Sequence, residues 1–232
     1  MLPPFAKDGI GMKHPIEAII FDLDGTLLDT INDIAQCGNA VLEDWGCPVH
    51  SVETYTELVG DGLSNLARKA LPESRRTPHD IEAFVGAYRG YYQARWNETS
   101  TAYAGIPEML TDLTGRGIQL SVLSNKRDDF TQVCVSHFFP SVAFREVRGE
   151  RAGIPIKPNP LAALEIAATM GVEPSRCLFV GDSEIDVQTG LHAGMTSVGV
   201  VWGFRSREVL EEAGAHILLS HPQELSAILS GR

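Results

Sequence analysis

The spacing of apolar positions changes along the chain, and each change marks an element. Ala18-Ile19-Ile20-Phe21 is an unbroken apolar run, the pattern of a strand buried on both faces of a helix-covered sheet. After Leu27 the spacing becomes helical. Ile31, Ile34, Ala35, Val41, Leu42 and Trp45 share one face, ended by Gly46 and Pro48. Two more helical runs are expected over about residues 63–71 and 79–96, the latter carrying Ile81, Phe84, Val85, Tyr88, Tyr91 and Tyr92. No strand is expected between residues 29 and 102.

From Tyr103-Ala104-Gly105-Ile106-Pro107 onward, strands and helices alternate. Pro107 suits the first turn of a helix that runs to about residue 116. Strands are expected over residues 118–123, 142–147, 176–180, 196–201 and 217–219. Helices are expected over 129–137, 160–170, 185–193 and 206–213. Such alternation implies a parallel sheet with right-handed crossovers. The predicted architecture is an α/β core, residues 15–28 and 105–232, with a helical domain, residues 29–104, inserted after the first strand. Residues 1–14 read as a loose N-terminal extension.

Several of these apolar runs end in polar groups. Asp22 and Asp24 follow the first, Ser124 and Asn125 another, and Asp182 and Ser183 a third. Lys157, in Lys157-Pro158-Asn159-Pro160, is a fourth candidate. Taken singly, each has a structural account. An Asp-Gly turn explains the first, helix capping the second, and acidic residues complementing a helix dipole the third. In an open α/β sheet, however, ligands sit beyond the carboxyl ends of the strands, so these residues converge on one edge. A buried strand also does not carry carboxylates without a partner for them. Asp22, Asp24 and Asp182 together can hold Mg²⁺, which takes oxygen ligands from carboxylates and substrate phosphate. Lys157 adds a point charge for phosphate. The hydroxyl, amide and main-chain N–H groups near Ser124 and Asn125 can bind phosphoryl oxygens. An aspartate in such a set can act as a nucleophile.

The net charge of −11 sharpens this picture. It argues against nucleic acid or an anionic membrane as a partner. It would also repel an anionic substrate at long range, so a phosphate site here must be made positive locally. The four cysteines form no C-x-x-C pair and no zinc pattern, which fits reduced, mostly buried thiols. No run approaches the ~18 apolar residues of a membrane helix. Residues 1–14 contain no apolar h-region, so a signal peptide is not expected and the cytoplasm is the predicted location.

Four of the segments already quoted, taken together, resemble the haloacid dehalogenase superfamily. They are Asp22-Leu23-Asp24-Gly25-Thr26-Leu27, Ser124-Asn125-Lys126, Lys157-Pro158 and Gly181-Asp182-Ser183-Glu184-Ile185-Asp186. They stand in order, in strand-then-loop contexts, and span most of the chain. The resemblance implies a Rossmann-like core with a helical cap. It implies that Asp22 is the nucleophile and forms a phosphoaspartate, while Asp24 protonates the leaving group and then activates water. Asp22, the main-chain carbonyl of Asp24, and Asp182 would ligate Mg²⁺, supported by Asp186 from a second shell. Ser124, Asn125 and Lys157 would bind the phosphoryl group. Thr26 is placed with them and is expected to orient Asp24.

Smaller segments resemble the phosphoglycolate phosphatase-like branch: Val59-Gly60-Asp61-Gly62-Leu63, Tyr103-Ala104-Gly105-Ile106 and Trp202-Gly203-Phe204-Arg205-Ser206-Arg207. Gly60-Asp61-Gly62 lacks the preceding strand and third glycine of a dinucleotide fingerprint, so a cap loop over the site fits better. Arg68 and Arg89 are candidates for a second substrate anion. The expected protein is a Mg²⁺-dependent phosphatase of a small phosphorylated metabolite, phosphoglycolate first, acting as a monomer or homodimer. The alternatives are a phosphomutase or pyrophosphatase of the same superfamily, and a non-catalytic binding or regulatory module.

Overall fold

A computed structural model describes residues 15–229. The expected extension over residues 1–14 lies outside the described residues. In chain order the elements begin with β1 (Ala18–Phe21), β2 (Leu28–Asp29), α1 (Ile31–Asp44), α2 (Val52–Leu58), α3 (Leu63–Ala70), α4 (Pro78–Arg95) and β3 (Thr101–Ala102). They continue with α5 (Ile106–Gly115), β4 (Gln119–Arg127), α6 (Asp128–Phe138), β5 (Val147–Glu150), α7 (Leu161–Met170) and β6 (Cys177–Gly181). The chain closes with α8 (Glu184–His192), β7 (Thr196–Val200), α9 (Arg207–Glu212), β8 (Ile217–Leu219) and α10 (Gln223–Leu229).

Six strands form a parallel sheet in the order β5-β4-β1-β6-β7-β8. This is a Rossmann-like α/β fold. The alternation within β1 serves both faces of the sheet. Ile19 and Phe21 enter one core with α5 and α6, while Ala18 and Ile20 enter the other with α7. Strand order runs outward from β1 in both directions, so β1 is the switch point where a crevice opens. The register is flush there. Phe21 pairs with Val122 of β4 and Val180 of β6, so Ser124 and Asp182 emerge beside the residues that follow Phe21.

Helices α1–α4 pack around their own apolar cluster, with Tyr55, Phe84, Leu42 and Val41 buried at its centre. The chain leaves the sheet through β2 and returns through β3, which pair antiparallel. That ladder lies at the edges of a stretch read as strand-free, and its two-residue strands are too short to show a period. α2 was likewise not foreseen, since Val52-Glu53-Thr54-Tyr55 carries β-branched residues and little periodicity. Its visible signal is Ser51, whose hydroxyl accepts from the Thr54 N–H as an N-cap. The strand expected over 142–147 is instead β5, beginning at Val147. Val142 and Phe144 are apolar because they pack on the core from a turn, not from a ladder. Among the described residues, no helix is long and apolar enough to cross a membrane.

Candidate active site

The sheet edge gathers the charges that the strand ends carry. Asp22 follows β1 directly and is buried. Its Oδ1 accepts from Lys157 Nζ at 2.5 Å. The same ammonium donates to Asp186 Oδ1 at 2.6 Å. Asp182, one residue beyond β6, accepts from the Thr26 hydroxyl at 3.0 Å and from the Phe204 N–H at 2.8 Å. The carboxylates of Asp22, Asp182 and Asp186 each present an oxygen within 4.8 Å of the others.

Local sequence sets this approach. Gly25 has φ +91°, and a Cβ there would lie 2.3 Å from Asp182 Oδ2. The glycine therefore provides both the turn after β1 and the room for Asp182. Asp186 is fixed by a capping box at the start of α8. Its Oδ2 accepts from the Ser183 N–H and hydroxyl, and the Ser183 Oγ accepts from the Asp186 N–H. Both Asp186 oxygens are thus engaged, one by Ser183 and one by Lys157.

Burial pushes the Asp22 carboxyl well above its usual range, and the charges of Asp186 and Asp182 add to the rise against the pull of Lys157. Asp182 is pushed up to about 7, chiefly by burial and by Asp186, with the Phe204 and Thr26 hydrogen bonds opposing. Lys157 moves the other way: burial lowers it, but Asp186 and Asp22 hold the ammonium firmly protonated. Three clustered buried carboxylates, of which the Lys157 ammonium bonds Asp22 and Asp186, carry more negative charge when ionised than that one cation offsets, which calls for a further cation.

Asp24 belongs to a separate arrangement. Both of its oxygens accept from Lys126 Nζ at 2.6 Å, and Oδ1 also accepts from the Thr30 hydroxyl at 2.8 Å. The residue that orients Asp24 is therefore Thr30. Thr26, expected in that role, is turned to Asp182 because the Gly25 turn carries its hydroxyl toward β6. Lys126 stood within a quoted motif without a role. The available signal was a lysine ending an apolar strand, which needs a partner by the same reasoning that applied to the aspartates. Its ammonium also sits 5.1 Å from the centroid of the Tyr92 ring on α4.

Ser124 is buried at the cavity wall, its Oγ accepting from the Lys126 N–H at 3.2 Å. The Asn125 side chain is engaged elsewhere. Its Nδ2 donates to Lys157 O at 3.0 Å and Gly60 O at 2.9 Å, and its Oδ1 accepts from Lys157 N at 2.9 Å. It clamps the Lys157 main chain, so its own main chain is what remains for an anion.

A cavity connects this edge to the helical insert. Its far wall is apolar and aromatic, with Ile34, Leu63, Leu66, Tyr88 and Phe130. Arg89 of α4 lines both this cavity and a second hollow of the insert, whereas Arg68 lines only the second hollow. Lys126, Lys157, Arg127 and Arg205 in the wall are each paired with a carboxylate. Among the described residues, Arg89 is the lining cation with neither hydrogen bond nor ion pair.

Comparison with known proteins places this geometry in a family. The profile of the haloacid dehalogenase-like hydrolases matches residues 19–200. A phosphoglycolate phosphatase of Pseudomonas savastanoi pv. phaseolicola is 30% identical over 209 residues, covering 86% of this chain and 75% of that one. A phosphoglycolate phosphatase of Aquifex aeolicus is 28% identical over 219 residues, covering 92% and 97%. Among crystal structures, a chain of Lactobacillus delbrueckii subsp. bulgaricus, provisionally named phosphoglycolate phosphatase, superposes with a TM-score of 0.87 at 29% identity, over 93% of this chain and 99% of that one. With its buried acidic cluster at the switch point and its helical insert after β1, the chain belongs to the haloacid dehalogenase-like hydrolase family, as a phosphoric monoester hydrolase.

Proposed function

We propose that the chain hydrolyses a small phosphorylated metabolite, phosphoglycolate first among them, through a phosphoaspartate on Asp22 and with Mg²⁺ as cofactor. The observation that carries this reading is the buried trio Asp22, Asp182 and Asp186 at the switch point of the sheet, with the Lys157 ammonium bonded to Asp22 and Asp186. The names of the relatives supply the substrate.

The donor set suits a hard cation. Every group in it is an oxygen, and the excess buried negative charge is what a divalent ion offsets. Asp22, Asp182 and the Asp24 main-chain carbonyl would hold Mg²⁺, with Asp186 behind them, its Oδ1 held by the Lys157 ammonium and its Oδ2 by Ser183. When bound, the ion neutralises charge on the transferring group.

The chain supplies the rest. An Asp22 carboxylate oxygen attacks phosphorus and displaces the alkoxide. Lys157, Ser124 and the main chain at Asn125 hold the phosphoryl oxygens. Asp24 gives its proton to the alkoxide, then takes one from water. That water attacks phosphorus, releases inorganic phosphate and restores the Asp22 carboxylate. Residues 29–104 act as a cap that closes over the cavity and excludes bulk water, hinged near residues 28–30 and 102–105. Arg89 meets the substrate carboxylate.

The test is phosphate release from a panel of phosphoglycolate, sugar phosphates and pyrophosphate. Phosphoglycolate should turn over fastest, with activity abolished by EDTA and restored by Mg²⁺. Phosphoryl migration on a sugar phosphate without phosphate release would overturn the assignment in favour of a mutase.

A further inference from the structure

The loop Val59-Gly60-Asp61-Gly62, which joins α2 to α3, is fastened to the sheet side at two points. The first is Arg205, in the segment that follows β7. Its Nη1 donates to Thr56 O and its Nη2 donates to Val59 O at 2.9 Å. Its Nε donates to Glu184 Oε2 at 3.0 Å. The second is Asn125, whose amide donates to Gly60 O while clamping Lys157.

Thr56 and Val59 carry carbonyls from the end of α2, where a helix has acceptors without intrahelical donors and a partial negative charge. α2 has no basic residue in its own last turn. Arg205 supplies that cap from the other side of the cavity. Glu184, in the first turn of α8, keeps the guanidinium in place, and only 12% of the Arg205 side chain is exposed. The loop glycines permit the approach. Gly60 has φ +121°, a conformation that residues with a Cβ rarely adopt, and it lies in van der Waals range of the Arg205 guanidinium and Ile185.

The residue before Arg205 completes the connection. The Phe204 N–H donates to Asp182 Oδ2 at 2.8 Å. Two consecutive residues thus hold a carboxylate of the active site and the end of a cap helix. We infer that Arg205 is a positioning residue, a latch that caps α2 in the closed arrangement and fixes the 59–62 loop over the cavity in step with Asp182. This deepens the phosphatase reading and rests on it for its effect on turnover.

The test compares Arg205→Ala, Arg205→Lys and Glu184→Gln with the wild type. Hydrogen exchange of residues 56–62 should rise about tenfold or more in Arg205→Ala, as expected on losing charged hydrogen bonds. Exchange in β1 and β6 should not change. Arg205→Lys keeps the charge but not the forked contact, and Glu184→Gln keeps the fork but loosens its anchor. Both should fall between wild type and Arg205→Ala, and these two milder variants decide the question if Arg205→Ala does not fold. In turnover, kcat/KM should fall with exchange, mainly through a raised KM, because the closed cap is what holds substrate. Unchanged exchange at 56–62 across the folded variants overturns the latch. A wild type that releases no phosphate, with exchange rising as described, overturns the phosphatase reading and leaves the latch standing.

Discussion

Two aspartates, one at the end of β1 and one in the first turn of α1, are almost equally buried and have opposite character. Asp22 is 6% exposed and Asp33 1%. Asp33 accepts from the N–H and hydroxyl of Thr99 and of Ser100, four neutral donors that tie α1 to the strand returning to the sheet. Burial raises its carboxyl, but those hydrogen bonds outweigh it and hold the group below the usual range. Asp22 faces one ammonium and two other carboxylates, and burial drives it well upward. Burial of a carboxylate therefore does not mark chemistry by itself. A saturated carboxylate is a fastening, whereas one among like charges stores a demand for a cation and an electrophile.

Replacing each by asparagine should split these roles. Asp22→Asn removes the proposed nucleophile, so kcat/KM for phosphate release should fall by about 10⁴-fold or more. Stability of the metal-free protein should not fall with it. Burial and the neighbouring carboxylates disfavour the ionised form of Asp22 in the fold, and a neutral amide carries no such cost. Retained Mg²⁺-dependent turnover in this variant would remove Asp22 from the mechanism.

Asp33→Asn should do the reverse. An amide nitrogen cannot accept from Ser100, so the fold should lose about 1–3 kcal/mol in urea unfolding, with kcat nearly unchanged. The pH dependence follows from the lowered folded pKa. Such a group stabilises the fold above its unfolded pKa of about 4, and the contribution is lost as pH falls through the lower folded value. The gap between wild type and Asp33→Asn should be constant above about pH 5 and shrink below about pH 4. A gap that widens on acidification would contradict the assignment.

The sequence revealed these two aspartates unequally, and the reason is physical. Asp22 ends an apolar run, where a charge is conspicuous. Asp33 sits in the first turn of an amphipathic helix, where an acidic residue is ordinary, and its partners lie more than sixty positions away. The parallel sheet and its polar strand ends were legible because burial on both faces leaves a continuous apolar signature. The β2–β3 ladder, α2 and α10 were not, since two-residue strands and single-sided seven-residue helices carry too few apolar positions to set a period. Thr30, Lys126 and Arg205 escaped for the same reason as Asp33, because their roles are contacts across the chain.

The wall opposite Asp22 offers the finest division. Ile34, Leu63, Leu66 and Tyr88 on the cap side read from sequence as helix core, since periodicity does not distinguish a side chain facing a neighbour from one facing a cavity. Within that apolar wall Arg89 is an unpaired charge, while the cations on the sheet side have carboxylate partners. A substrate with a second anion would use it, and a substrate without one would not. Arg89→Met keeps the length and apolar stem of the side chain and removes the charge. KM for phosphoglycolate should rise about tenfold, the lower end for a charged hydrogen bond because Arg89 is exposed, with kcat little changed. With p-nitrophenyl phosphate, which has no carboxylate, KM should stay within about twofold, since an arginine whose only partner is the missing carboxylate contributes nothing there. Equal losses on both substrates would mean that Arg89 shapes the wall instead of reading the substrate. The cap side would then select by apolar surface alone, and phosphoglycolate would give way to a substrate with a less polar leaving group.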